Sequence, residues 1–221
     1  MSSPKTPSFS SGRKSSRQIP MDLAPTPDYR FDNFVTGPSN QDGFRLVKGW
    51  QAWPAPVLLL QGPKGSGKTH LGHAWAAEGH GGVFIDDAET QDAHMVFAAI
   101  NKALAGEAGP LLLASTRPPH EWPHSLPDLH SRMKNTAVAS LSDADDDVLE
   151  GIIRKLFDDT GRSVSRDLVG YIITRSPRSV PALRHGISEL DMAARADKAD
   201  MTKAFAVRFF NAQPDLFDDI D

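Results

Sequence analysis

The chain has 221 residues, 39% of them hydrophobic and 24% charged, which allows a buried core and excludes collagen-like, mucin-like and membrane-spanning classes. Its formal net charge of −4 argues against a bulk electrostatic grip on nucleic acid. With no cysteine, disulfides, thiolate nucleophiles and cysteine-ligated zinc are ruled out, and the composition fits a cytoplasmic protein.

Residues 1–17 are basic and serine-rich without an apolar stretch, so they read as a disordered tail and not as a secretory signal. No run approaches the roughly 18 apolar residues of a membrane span. Residues 18–24 differ. Gln18, Ile19, Pro20, Met21, Asp22 and Leu23 form an extended, proline-stiffened strip suited to a groove on a partner. Near the other end, Gln213, Leu216 and Phe217 repeat the theme within an acidic tail over 212–221.

Between these ends the chain alternates strands and helices. Val57 to Leu60 is a continuous apolar run, expected of a strand buried on both faces of a parallel sheet. It feeds into Gly62-Pro63-Lys64-Gly65-Ser66-Gly67-Lys68-Thr69, which matches G-x-x-x-x-G-K-T/S at every fixed position. The glycines let the backbone curl so that its N–H groups point inward. Lys68 reaches the outer phosphates and the Thr69 hydroxyl holds Mg²⁺. A helix is expected from Ser66 to about Glu78, ended by the glycines at 79–82. His70, His73 and His80 read as ordinary histidines, because no acidic partner stands at ligand spacing.

Val83 to Ile85 predicts a strand ending in Asp86-Asp87, where the first carboxylate can bind magnesium through water and the second can orient an attacking water. A helix over about 92–104 should bury Met95, Val96, Ala99, Ile100 and Ala103. A third strand at Leu111 to Leu113 leads to Ser115-Thr116-Arg117, where a polar residue would sit near a terminal phosphate. A fourth strand is expected near Thr136 to Leu141. The last third is helical, starting with a helix capped by Ser142 with Asp145 and Asp146 in its first turn.

Taken in order, GPKGSGKTHLGHAWA, VFIDDAE, LLLASTRPPHEW, LPDLHSRM and the helical lid resemble the DnaA-like branch of AAA+ ATPases, and within it the Hda proteins that inactivate the replication initiator. The resemblance implies an α/β P-loop AAA+ domain over 30–141 and a helical lid over 142–211. It also implies ADP or ATP with Mg²⁺ as ligands, weak or absent ATPase activity of the chain's own, and the initiator DnaA and the DNA polymerase sliding clamp as partners. Homo-oligomers are possible. The initiator carries a helix-turn-helix domain after its lid and this chain does not, so sequence-specific DNA binding is not expected, nor is a membrane.

By the same resemblance, residues 62–69 bind the nucleotide. Thr69 and Asp86 hold magnesium, Asp87 supports catalysis and Thr116 takes the sensor position. Arg132 becomes an arginine finger that reaches a neighbour's phosphate. The second sensor arginine falls near Pro181, with Arg178 and Arg184 on either side and Arg178 as the candidate. Gln18, Ile19, Met21 and Leu23 coincide with the family's clamp-binding peptide, and Gln213, Leu216 and Phe217 resemble a second one. The family has a further strand and helix between the P-loop helix and VFIDD, where this chain has Gly79 to Gly82. The chain must then step over one strand, about 10 Å, and the sheet should lack an edge strand. An ATP-driven helicase loader of similar fold is the first alternative, and a small nucleoside kinase the second.

Overall fold

A computed structural model describes residues 28–123 and 126–217; the strip carrying Gln18, Ile19, Met21 and Leu23 lies outside them. In chain order the elements are α1 (Gln41–Lys48), β1 (Val57–Gln61), α2 (Lys68–Ala76), β2 (Val83–Ile85), α3 (Ala93–Leu104), β3 (Leu111–Ser115), α4 (Pro127–Met133) and β4 (Ala137–Ser140). Helices α5 (Asp146–Asp159), α6 (Arg166–Arg175), α7 (Val180–Ala196) and α8 (Lys203–Ala212) follow.

The four strands form one parallel sheet in the order β2-β3-β1-β4. Leu58, Leu59 and Leu60 of β1, and Leu112, Leu113 and Ala114 of β3, are fully buried because helices cover both faces. Alternate side chains serve opposite cores. Val57 and Leu59 join Val96, Ile100, Leu113 and Leu129 on one side, while Leu58 and Leu60 join Val47, Leu71, Trp75 and Leu112 on the other. Each such side chain contributes about 1.5–3 kcal/mol relative to its exposed state.

The expected step over one strand is made: from β1, the chain passes through α2 to β2 with β3 lying between them. That leaves β2 at the sheet edge, three residues long, with Val83 43% exposed. Met95, expected on the buried face of α3, is 42% exposed, because the helix turns Val96, Ile100 and Ala103 toward the sheet.

Helices α5 to α8 enclose a separate core containing Leu149, Ile153, Phe157, Leu168, Ile172, Leu190 and Phe210. Asp145, not Ser142, caps α5, its side chain accepting from Val148 N–H at 2.9 Å. Ser39 explains the difference: its N–H donates to the Asp145 carboxylate at 2.7 Å and its hydroxyl accepts from Asp145 N–H at 3.3 Å. Burial pushes the Asp145 carboxyl up, but these donors outweigh burial and hold it below the usual carboxylate range. Nearby, Lys155 Nζ donates to Asn33 Oδ1 at 2.8 Å, and Val35 packs against Gly151. A strap ahead of α1 thus joins the lid to the sheet domain. No helix among the described residues is long and apolar enough to cross a membrane.

Candidate functional site

Residues 62–69 lie between the end of β1 and the start of α2. Gly65 and Gly67 adopt φ of 75° and 97°, a region that penalises any residue with a Cβ. Space forbids one as well: a Cβ on Gly65 would lie 2.9 Å from Ser179 Oγ, and one on Gly67 would lie 2.9 Å from the Phe34 ring. The lid and the strap therefore close directly onto the loop. Helix α2 begins at Lys68, with Gly67 as its cap and not within it, so its first N–H groups face outward where an anion can accept them.

Lys68 is 6% exposed, and its Nζ donates to the carbonyls of Gly62 at 2.9 Å and Pro63 at 2.8 Å. Burial lowers its pKa, opposed by the charges of Asp87, Asp86 and Glu89. The Thr69 hydroxyl donates to Asp86 Oδ2 at 2.6 Å. The two oxygens are adjacent, and an all-oxygen pair suits a Mg²⁺ that is shared with phosphates and water. Asp87 sits at φ 45° in a tight turn and lines the same cleft. Burial, together with Asp86 and Glu89, raises its pKa against the pull of Lys68 and Lys64.

Two cavities meet at this loop. The first is an open cleft of about 970 Å³ that places Lys64, Gly65, Lys68 and Thr69 opposite Asp87, Glu89, Thr116 and Arg117, with Pro181 contributed by the lid. The second is a narrow apolar slot of about 60 Å³ on the other side of Ser66 and Gly67, walled by Phe34, Val148, Ile152 and Val180 with Lys155 and Arg184 at its polar edge. Ser66 Oγ is buried there without a hydrogen-bond partner among the described residues. A slot with apolar walls and a polar edge, beside a glycine-rich loop, has the lining that suits a flat heterocycle.

The sequence reading missed Glu89. A short 3-10 turn at Ala88–Thr90 carries it beneath the end of β3, where it is 5% exposed. Its Oε1 accepts from Thr116 N–H at 2.7 Å and Thr116 Oγ1–H at 2.6 Å, while Oε2 is buried with no hydrogen-bond partner found among the described residues. Burial pushes the carboxyl up, but the Thr116 hydrogen bonds dominate and hold it below its usual range. The polar residue expected at the end of β3 is thus present, with its hydroxyl proton committed to a carboxylate. The only cue was an acid three residues after Asp86.

Of the remaining candidates, Pro181 lines the open cleft and has no donor to offer. Arg178 donates to Ala144 O at 2.9 Å and Asp146 Oδ1 at 2.7 Å, so its guanidinium is committed at the N-terminus of α5 and lines neither cavity. Arg132 is exposed on α4, forms no ion pair with any described residue, Asp128 included, and lines neither cavity. Gln213 is exposed. Leu216 and Phe217 are half-buried against the lid, where Phe217 stacks on Phe210 at 5.8 Å and lies over Gly186. Tyr29 stacks on His73 at 5.0 Å and meets His70 edge-on, and His80 lies between Trp50 and Trp75.

No protein-family model matches the chain. An uncharacterized protein of Haemophilus influenzae is 22% identical over 231 residues, covering 88% of this chain and 99% of that one. Among solved structures, domain III of the Thermotoga maritima replication initiation protein DnaA superposes with a TM-score of 0.73 at 19% identity, over 87% of this chain and 98% of that domain. AMPPCP-bound DnaA from Aquifex aeolicus gives 0.60 at 16% identity, over 75% of this chain and 66% of that one. A variant of Thermotoga maritima RuvB gives 0.64 at 17% identity, over 84% and 73%. The fold is that of AAA+ P-loop domains, a parallel sheet followed by a helical lid.

Proposed function

We propose that the chain is a nucleotide-binding negative regulator of replication initiation, which holds ADP or ATP itself and promotes hydrolysis of ATP bound to the initiator DnaA. The base occupies the slot beside Phe34 and Val148. The phosphates lie along residues 62–69, between the N–H groups of α2 and the Lys68 ammonium. Thr69 and Asp86 are the residues that would hold Mg²⁺, which neutralises phosphate charge when bound. AMPPCP in a DnaA of the same fold supports the nucleotide reading.

The observation that carries the proposal is Arg132, an exposed guanidinium without an ion pair among the described residues and outside both cavities at the loop. A guanidinium there serves a phosphate on a neighbouring subunit. Its planar fork of donors stabilises charge that develops on the transferred phosphoryl group, an effect worth about 10³–10⁵ in rate. The strip at Gln18, Ile19, Met21 and Leu23 tethers the chain to the sliding clamp, and Gln213, Leu216 and Phe217 are a second candidate contact.

The test follows DnaA-bound ATP over time with DNA-loaded clamp present. The Arg132→Ala chain should keep its own nucleotide and its clamp contact, yet leave conversion to ADP at the unassisted rate. Normal conversion with that variant would remove the in-trans role. In the same assay Gln18→Ala should release the chain from the clamp, a dependence that a helicase loader does not share.

A further inference from the structure

We propose that Arg117 distinguishes a nucleoside triphosphate from a diphosphate in this chain's own cleft by gripping the terminal phosphate from the sheet side; the inference rests on the nucleotide reading of that cleft. Three cationic side chains line the cleft among the described residues, namely Lys64, Lys68 and Arg117. Lys68 is engaged with the carbonyls of Gly62 and Pro63, at the inner turn of the loop. Lys64 belongs to the loop itself. Arg117 comes from the far wall, just past the end of β3, the strand that separates the loop-bearing β1 from the acid-bearing β2. In a parallel sheet, the ground beyond the carboxyl ends of the strands is where ligands bind.

The mount of Arg117 is rigid. Ser115 is fully buried, and its hydroxyl donates to Arg117 O at 2.8 Å while accepting from Arg117 N–H at 3.1 Å. Trp122 Nε1–H donates to the same carbonyl at 3.0 Å, and Pro118 and Pro119 follow directly. The guanidinium, by contrast, makes no hydrogen bond or ion pair to any described residue, although Asp87, Glu89 and Asp92 line the same cleft.

The neighbours create the need for it. A terminal phosphate arriving between Thr116 and the loop meets the Asp87 and Glu89 carboxylates. The Thr116 hydroxyl cannot compensate, because its proton is given to Glu89. Pro181, the lid residue on this cleft, offers no donor. Arg117 is the uncommitted donor on that side, and its five N–H groups match phosphate oxygens in a bidentate fork. A diphosphate, held by residues 62–69 and the start of α2, has no terminal group for it to meet.

The test is calorimetric titration of the full chain with Mg²⁺·AMPPCP and Mg²⁺·ADP. Arg117→Ala should weaken AMPPCP about tenfold to a hundredfold while leaving ADP within about twofold. Arg117→Lys should recover part of the loss, since a point charge lacks the fork. Unchanged AMPPCP affinity in Arg117→Ala, or an equal loss for both nucleotides, overturns the proposal. Lys68→Ala isolates the premise, because it should weaken both nucleotides together. If it binds both as the parent does, the nucleotide reading fails and the inference falls with it.

Discussion

The open cleft and the apolar slot share the loop at residues 62–69 and are otherwise assembled in opposite ways. The cleft takes its charged groups from the ends of three adjacent strands, each within a few residues of a recognisable pattern. The slot draws on the strap at 33–40, the loop, the start of the lid and α7, segments far apart in the chain. Phosphate binding needs particular backbone angles and particular charges, so it leaves a local signature. A base needs only a flat apolar space with a polar rim, which many side chains can supply.

The sharpest way to break this comparison is Lys68→Ala. It should lower affinity for ADP and ATP by about a hundredfold or more, through loss of a charge-assisted contact to phosphate. The substitution also frees the carbonyls of Gly62 and Pro63, so a drop in melting temperature should accompany it. Binding that survives would move the phosphates away from the loop.

A smaller effect belongs to the slot. Phe34 lies against Gly67, stacks on Phe44 at 5.5 Å and meets His70 edge-on. Phe34→Ala should weaken ADP about tenfold, the scale of one lost aromatic contact, and leave inorganic pyrophosphate binding unchanged. If pyrophosphate weakens equally, the slot and the cleft are not separate recognition elements.

The smallest effect concerns the wall that the lid presents to both. Asp145→Ala removes the α5 cap and the contact with Ser39 and should cost about 1 kcal/mol in unfolding free energy. The acid side adds a signature. The Asp145 carboxyl lies below its unfolded-state pKa, so its contribution is complete above that value and is lost as pH falls through the folded-state pKa. Melting curves taken from neutral pH down through the carboxylate range should therefore fall less steeply for the variant than for the parent.

Features whose placement follows from chain-local rules are legible in the amino-acid order alone. The P-loop, the Asp86-Asp87 turn, the buried strands and the step over β3 all belong to this class, since each rests on a spacing or on an apolar run with clear ends. Ser142 and Asp145 show where the rules run out. Both are good caps ahead of an apolar run, and Ser39, more than a hundred positions away, decides between them. Glu89 was hidden for a similar reason. An acid in a short turn reads as solvated unless the turn carries it under a partner such as Thr116, and nothing in the local spacing says that it does.

The edge strand β2 has a consequence for solubility. A sheet that ends in an open strand presents free backbone donors and acceptors to any passing chain, and long flat edges of that kind template fibres. Here the edge is three residues long, follows a run of glycines and is succeeded at once by Asp86 and Asp87. An incoming strand would find room for very little pairing and would meet two carboxylates as it tried to extend. At its β2 edge the sheet stays open because that edge is too brief and too negative to propagate.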